Sequence, residues 1–189
     1  MDVREINLAL NGRLGNFILY KGVYTSDELP TNLQNSKPII FIANTLKSTT
    51  DINIVGHWVC FYIENRPVKR IVFFDSYGFS PDLYSRDFSS FVKKHSTYPF
   101  YNFKVQLQPN TSVKCGLYVI MFVHFVSHYG VDRYIFLYKN IFSKRDLTSN
   151  DKYVTRYYFK HLNKSRTCSA YKFGRKRAIT FKECQSIGK

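Results

Sequence analysis

The chain has few cysteines and no apolar stretch long enough for a membrane span. Of its 189 residues only four are cysteine, at positions 60, 115, 168 and 184, and none forms a Cys-x-x-Cys pair. No run approaches about 18 uninterrupted apolar residues, and the segment from Met1 to Glu5 lacks the apolar centre of a signal peptide. These absences argue against a membrane protein, a secreted disulfide framework and a zinc site. We expect free thiols, no metal, and a protein that is not secreted.

Acidic residues are also scarce, with 13 Asp and Glu against 28 Lys and Arg, which gives a formal charge of +15. The excess is concentrated after Lys139, where basic and aromatic residues alternate. Such a segment favours nonspecific binding to a phosphate backbone, although a merely solvated surface carries similar charge. The predicted nucleic-acid contacts are Lys160, Lys164, Arg166, Arg175, Lys176 and Arg177. The last three also fit a nuclear-import patch or a solvated loop.

The rest of the composition is that of a folded domain. Hydrophobic residues make up 44% of the chain, and 15 Tyr and 17 Phe supply bulky side chains for a core. This composition excludes a disordered tail, and the length fits one domain. We expect a single domain over residues 1–189, in which 139–189 form a basic, helical C-terminal part.

Hydrophobic patterning predicts both strands and helices. Four apolar or alternating stretches have the length of strands, and the middle two are separated by three residues, as in a hairpin. These stretches are 38–43, 57–64, 68–75 and 103–107. Helical patterns occupy five other segments, the second of which has Ser80 as its N-cap. They are 2–11, 81–94, 115–128, 132–142 and 151–163. The turn-rich segment 20–35 is predicted to be a loop.

Four polar residues lie at the ends of these elements, namely His57, Asp75, Gln108 and Cys115. Cys115 begins the apolar helix, where free N–H groups and the helix dipole favour a thiolate. His57 begins one hairpin strand and Asp75 ends the other, so antiparallel pairing brings them together. Gln108 ends the next predicted strand, seven residues before Cys115. A thiol, an imidazole, a carboxylate and an amide are the nucleophile, base, orienter and oxyanion donor of a cysteine acyl-transfer site.

Each of these residues also has a purely structural interpretation. A histidine in a strand, an aspartate at a hairpin end and a cysteine in an apolar helix usually serve packing or turn formation. Cys60 lies inside an apolar strand and is expected to be a buried, inert thiol of this kind. The joint order and spacing of the four residues favours the catalytic interpretation.

The motifs around these residues resemble those of the adenovirus maturation proteases, the adenain family. Three motifs are shared in the same order, and a fourth pair ends an early strand in that family. They are Gly56-His57-Trp58, the segment 75–80 with its carboxylate and aromatic-Gly-Phe-Ser, Gln108 seven residues before Cys115-Gly116, and Asn44-Thr45. The resemblance covers about residues 17–130.

This resemblance implies an α+β fold, with a central mixed sheet, the nucleophile helix packed against it and additional C-terminal helices. It carries over the catalytic roles by position: Cys115 as nucleophile, His57 as base and acid, Asp75 as orienter and Gln108 as oxyanion donor. It also implies that Trp58 packs near the base and the substrate channel. Gly116 and Asn44 are expected to bind substrate or support the site.

The function implied is a cysteine endopeptidase that cleaves viral capsid and core precursors at Gly-containing sites during virion maturation. Its expected partners are those precursor proteins and nonspecific nucleic acid, without a membrane and without a second copy of the chain. Its expected location is the virion and the nucleus or cytoplasm of an infected cell. No cofactor is required for the chemistry, and activation by DNA or by a noncovalently bound viral peptide fits the pattern.

Two departures from the family keep other functions open. Where this chain has Asp75, the family has Glu. Asp is the usual residue at this position in the related SUMO proteases. The cysteine that tethers an activating peptide in the family has no counterpart in 95–100. The missing cysteine argues against a covalently tethered peptide. Other branches of the same clan supply two alternatives, a deubiquitinase or SUMO-type isopeptidase and an acetyltransferase on the same scaffold, and a further one is a noncatalytic module that binds nucleic acid.

Overall fold

The computed structural model describes residues 1–51, 54–65, 69–95 and 100–163. Five strands form one sheet in chain order, and five helices surround it. The strands are β1 (Leu19–Tyr24), β2 (Ile39–Asn44), β3 (Trp58–Glu64), β4 (Arg70–Phe74) and β5 (Phe100–Asn102). The helices are α1 (Val3–Leu10), α2 (Arg86–His95), α3 (Cys115–Tyr129), α4 (Val131–Ile141) and α5 (Leu147–His161). The predicted α+β class is confirmed.

The sheet is mixed, and both of its faces are covered. β2 and β3 pair antiparallel, as do β3 and β4, whereas the outer pairs β1–β2 and β4–β5 are parallel. One face packs on α3 and its neighbouring helices, and the other packs on Phe88, Phe91 and Val92 of α2. Burial on both sides explains why the central strands β2, β3 and β4 are almost continuously apolar instead of alternating. The predicted hairpin of β3 and β4 is confirmed.

The apolar helix α3 lies at the centre of the larger core, as its sequence indicated. Residues Val119 to Val123 are buried, and Phe122 stacks on Phe74 of β4 with ring centroids 4.5 Å apart. Helices α1, α4 and α5 complete this core. Because α3 is packed on all sides, its first residue, Cys115, has a fixed position relative to the sheet.

Two strand predictions are wrong. Residues 19–24 within the expected loop form β1, an edge strand whose residues are all half-buried, so its sequence lacks the apolar pattern of a central strand. Residues 103–107 are not a strand, because β5 ends at Asn102. Phe103 and Leu107 are buried, but the Leu107 N–H donates to the Ser76 carbonyl and not to a neighbouring strand. The alternating pattern here reflects a packed loop.

Two helix starts also differ from prediction. The segment after Ser80 is a 3-10 turn, Pro81–Leu83, and α2 begins only at Arg86. Ser80 makes no side-chain capping bond; instead the Ser85 hydroxyl accepts the Phe88 N–H. Helix α5 begins at Leu147, four residues before its predicted start, because Asp146 caps it by accepting the Ser149 N–H.

The basic C-terminal part is described as far as residue 163. Within its described half, α4 ends at Ile141 and α5 spans Leu147–His161. Lys164, Arg166, Arg175, Lys176 and Arg177 lie outside the described residues, as do positions 168 and 184. In the part of the chain that the structure describes, no helix is both long and apolar enough to cross a membrane. That the whole chain is one domain stays a prediction.

Candidate active site

Asp75 follows β4 directly and is fully buried with four hydrogen-bond donors around it. Its Oδ1 accepts from His57 Nε2 at 2.6 Å and from the Tyr77 N–H at 3.1 Å. Its Oδ2 accepts from the Phe79 N–H and the Tyr84 hydroxyl, each at 2.8 Å. A buried carboxylate is stable only when its oxygens are paired in this way. The predicted contact between His57 and Asp75 is therefore present and well supported.

His57 lies just before β3, and its backbone is held by the end of β2. The His57 N–H donates to the Thr45 hydroxyl, and the His57 carbonyl accepts the Thr45 N–H, both at 2.9 Å. Asn44 supports this corner, because its side-chain oxygen accepts the Leu46 N–H at 2.9 Å and packs against Gly56. Any side chain at position 56 would overlap Asn44. The Asn44-Thr45 pair thus positions the base.

Two tyrosine rings stack on the His57 imidazole. The Tyr77 ring lies 4.6 Å from it, and the Tyr84 ring lies 5.5 Å from it. The turn that follows β4 explains the first contact, since the Gly78 N–H donates to the Asp75 carbonyl and brings Tyr77 back toward the site. Stacked rings fix the plane of the imidazole and favour its charged form.

Cys115 occupies the first position of α3, beside the base. The His57 side chain and the backbone N–H groups of Trp58 and Gly116 lie close enough to its sulfur to stabilise a thiolate by hydrogen bonding. Burial opposes ionisation of the thiol, but these three contacts outweigh it and lower the pKa of Cys115. Because His57 Nε2 is bound to Asp75, Nδ1 is the ring nitrogen available to the sulfur.

Contacts with Asp75 and Cys115 raise the pKa of His57 to about 9. Burial alone would lower it, but hydrogen bonds to Asp75 and Cys115 and the charges of both partners favour the imidazolium. A lowered thiol pKa and a raised imidazole pKa both favour the thiolate–imidazolium form of the pair. Cys60, by contrast, is fully buried in β3, and desolvation raises its pKa, as expected for an inert thiol.

Gln108 is fully buried in the loop that leads to α3. Its Oε1 accepts the Ser76 hydroxyl at 2.7 Å, and its Nε2 donates to the Ser112 carbonyl at 2.7 Å and to the Tyr77 hydroxyl at 3.3 Å. The side chain therefore lies next to the ring that stacks on His57 and next to the turn that ends at Cys115. The sequence predicted that Gln108 ends a strand, but the structure places it in a loop, because β5 ends at Asn102.

Trp58 and Gly116 meet at the first residue of the chain. The Trp58 indole donates to the Met1 carbonyl at 3.0 Å, and a Cβ added to Gly116 would lie 2.8 Å from the Met1 sulfur. Met1 thus covers the backbone immediately after the nucleophile. Glycine at position 116 leaves room for the Met1 side chain, which a larger residue would displace.

The structure brings together the residues that the sequence singled out around Cys115, but it adds others. Ser76, Tyr77 and Tyr84 complete the hydrogen-bonded surroundings of Asp75 and Gln108. The aromatic residues after Asp75 could have suggested ring stacking, whereas nothing in the sequence indicated the contact of Met1. Among the predicted nucleic-acid residues, Lys160 lies exposed on α5. Within the described ranges, no three His, Cys, Asp or Glu side chains cluster as a metal site would require.

The chain is similar to known proteins in sequence and in fold. The model of the adenovirus endoprotease family matches residues 20–187. No curated protein sequence matches the chain. Among solved structures, the central domain of the uncharacterized protein Lpg1148 from Legionella pneumophila is similar in fold, with a TM-score of 0.50 and 15% identity. That match covers 86% of this chain and 97% of the other.

Proposed function

Because the chain belongs to the adenovirus endoprotease family, we propose that it is a cysteine endopeptidase in which Cys115 is the nucleophile. The observation that carries this proposal is the continuous contact from buried Asp75 through His57 to Cys115, with His57 and Asp75 2.6 Å apart. A thiolate beside an imidazolium is the reactive form of such a nucleophile. The remaining groups of the site are arranged to serve the same reaction.

The reaction proceeds in two halves. The Cys115 thiolate attacks the carbonyl carbon of the scissile bond, and the oxygen becomes negatively charged near the N-terminus of α3 and the Gln108 amide. His57 gives its proton to the leaving amine, and a thioester with Cys115 remains. Neutral His57 then takes a proton from water, which hydrolyses the thioester and releases the carboxylate product and free enzyme. Asp75 holds the imidazole orientation through both halves.

Cys115→Ala tests the nucleophile assignment, with Cys60→Ala as the matched control. We expect Cys115→Ala to abolish both cleavage of a fluorogenic Gly-Gly-type peptide and rapid alkylation at neutral pH. Cys60→Ala keeps both, because the Cys60 thiol is buried and its pKa is raised. Retention of cleavage by Cys115→Ala would overturn the assignment.

The substrates we propose are viral capsid and core precursors, cut at Gly-containing sites. The resemblance of the motifs to those of the family supports this substrate class. Three exposed apolar side chains lie near the catalytic residues in the sequence: Val55 before His57, Phe79 after Asp75 and Val113 before Cys115. Such a rim can bind the side chains of an extended peptide on either side of the cut.

Relative reactivity separates this substrate class from the alternatives. A ubiquitin- or SUMO-derived probe that labels Cys115 faster than a precursor-derived peptide would favour an isopeptidase. Transfer of acetyl groups from acetyl-CoA to a lysine peptide would favour an acetyltransferase. We expect precursor-derived peptides to be cleaved with the highest kcat/KM.

We further propose that DNA, or a noncovalently bound viral peptide, stimulates the enzyme within the virion and the infected cell, where it acts as a monomer. Helix α5 supports DNA binding, because Lys152, Arg156 and Lys160 are exposed and spaced four residues apart on one helix face. Phosphate contacts of this type weaken steeply as salt rises. A binding constant that does not change between 50 and 200 mM salt would contradict the DNA proposal.

A further inference from the structure

Ser76 and Tyr77 connect the base of the site to the loop that carries Gln108. Ser76 is fully buried directly after Asp75, and its carbonyl accepts two backbone N–H groups, from Leu107 at 2.8 Å and from Gln108 at 3.0 Å. Its hydroxyl donates to Gln108 Oε1 at 2.7 Å. Three hydrogen bonds from one residue thus fix both the backbone and the side chain of Gln108.

The direction of the Gln108 amide follows from these partners. The Ser112 carbonyl, 2.7 Å from Nε2, can only accept, so the NH2 group must face it. Oε1 therefore faces Ser76, whose hydroxyl must donate. A flipped amide would place two carbonyl oxygens against each other and would leave the Ser76 bond reversed. Ser76 and Ser112 together permit one orientation of Gln108.

Tyr77 contacts both halves of the site. Its ring stacks on His57, and its backbone N–H donates to Asp75. Its hydroxyl donates to the Ser112 carbonyl at 3.2 Å and accepts the second N–H of Gln108 at 3.3 Å. The latter contact is long, whereas the bond from Gln108 to Ser112 is short. The N–H directed at Tyr77 is consequently the one that can exchange its partner for a developing oxyanion at small cost, while the amide keeps its orientation.

The backbone around Gly78 and the Gln108 loop has little conformational freedom. Gly78 adopts a φ of +78°, and a Cβ placed there would lie 2.7 Å from the Val105 backbone. On its other side, the Leu107 carbonyl accepts from the Tyr118 hydroxyl at 3.1 Å and from the Asn150 amide at 2.9 Å. The loop from Val105 to Gln108 is therefore clamped between the end of β4 and helices α3 and α5.

We propose that Ser76 and Tyr77 are positioning residues for the oxyanion amide: Ser76 fixes the orientation of the Gln108 side chain, and Tyr77 holds its second N–H ready beside His57. This inference rests on the proposed function, since it assigns a task within the same acyl-transfer site. Three consecutive residues then act in the site. Asp75 orients the base, and Ser76 and Tyr77 position the oxyanion amide.

Kinetics of Ser76→Ala and Tyr77→Phe test this proposal. We expect each variant to lower kcat about 10- to 100-fold, a part of the loss caused by removing an oxyanion donor, while KM changes less than twofold. Alkylation of Cys115 by iodoacetamide forms no oxyanion, so its rate and pH profile stay those of the wild type. The chain offers matched controls in Ser26→Ala and Tyr134→Phe. Both residues are buried, and their hydroxyls have no hydrogen-bond partner among the described residues.

A double variant shows whether Ser76 acts through Gln108. In a Gln108→Ala background, Ser76→Ala should cause no further loss of kcat, because the group that it positions is gone. Ser76→Thr keeps the hydroxyl and should recover most of the kcat lost in Ser76→Ala. If the buried site rejects the extra methyl group, Tyr77→Phe, which only removes an atom, carries the test.

The outcomes separate this proposal from the proposed function. Equal kcat values for Ser76→Ala and Ser26→Ala, or full additivity with Gln108→Ala, would overturn the positioning role while the protease remained. Parallel losses of kcat and of alkylation rate would indicate a general structural defect and would also overturn it. A wild-type protein that is alkylated at Cys115 but cleaves no peptide would instead contradict the proposed function.

Discussion

The Nε2 atom of His57 lies 2.6 Å from Oδ1 of Asp75, although the two residues are 18 positions apart in the chain. The antiparallel pairing of β3 and β4 creates this contact, because His57 precedes the first strand and Asp75 follows the second. The contact assigns Nε2 to the carboxylate and leaves Nδ1 for Cys115. It also helps to raise the pKa of His57, and the pH dependence of the site follows from that pKa.

Peptide cleavage should fall above about pH 9. Proton donation to the leaving amine needs the imidazolium, and the pKa of His57 is raised to about 9. Alkylation of Cys115 needs only the thiolate and should persist at that pH. The pH dependence of kcat/KM, measured beside the alkylation rate from pH 5 to 10, checks this expectation. A decline of both rates together above pH 9 would contradict it.

Asp75→Asn should move this alkaline limb to lower pH. The hydrogen bond and the charge of Asp75 are causes of the raised pKa of His57, and the amide supplies no negative charge. The folded-state stability that comes from His57 is fully present below its ordinary pKa of 6.5 and is lost as pH rises through about 9. Urea unfolding at pH 6 and pH 10 should therefore show a smaller difference in the variant than in the wild type.

Tyr84→Phe should weaken the support of Asp75 without removing the base. The Tyr84 hydroxyl donates to Asp75 Oδ2 at 2.8 Å, and a hydrogen bond to a charged group contributes about 1.5–3 kcal/mol. We expect a loss of that size in the free energy of unfolding and a several-fold lower kcat. Tyr134→Phe is the control, because its hydroxyl has no partner in the described part of the chain. Equal stability of the two variants would argue against this support.

Gly78→Ala should destabilise the protein and disturb the Gln108 loop. Its φ of +78° costs a residue with a side chain about 1–2 kcal/mol, and the added Cβ would also press on the Val105 backbone at 2.7 Å. Gly12→Ala isolates the first effect, since Gly12 has a φ of +67° and no neighbour within 4 Å of the added atom. Urea denaturation should give a loss for Gly78→Ala at least twice that for Gly12→Ala.

Neutralising the basic face of α5 should reduce the salt dependence of DNA binding. The triple change of Lys152, Arg156 and Lys160 to Ala should lower the slope of log K against log salt by about 0.9 for each lost phosphate contact. A control with the same loss of charge changes exposed basic residues elsewhere. Its positions are Lys93, Lys94 and Lys104. Identical slopes for both triple variants would show that net charge, and not α5, governs binding.

Local sequence patterns predicted the elements with strong periodicity. The buried run of α3 and the hairpin of β3 and β4 could be recognised because burial on all sides leaves an almost uninterrupted apolar sequence. Edge strand β1 could not, since its half-buried residues and Gly22 lack that pattern. The alternation at 103–107 misled for the opposite reason: Phe103 and Leu107 are buried, but they bond to Phe73 and Ser76 at the end of β4 without forming a ladder of their own.

The sequence by itself determined the chemical parts of the site. The order of His57, Asp75, Gln108 and Cys115, with their flanking motifs, was sufficient to indicate the family and the expected roles. Tertiary structure decided which atoms meet: Nε2 on Asp75, two tyrosine rings on the imidazole, Ser76 on the Gln108 amide, and Met1 over Gly116. These contacts join residues up to 115 positions apart, and hydrogen bonds and packing over such separations depend on strand register and helix placement, which no local pattern encodes.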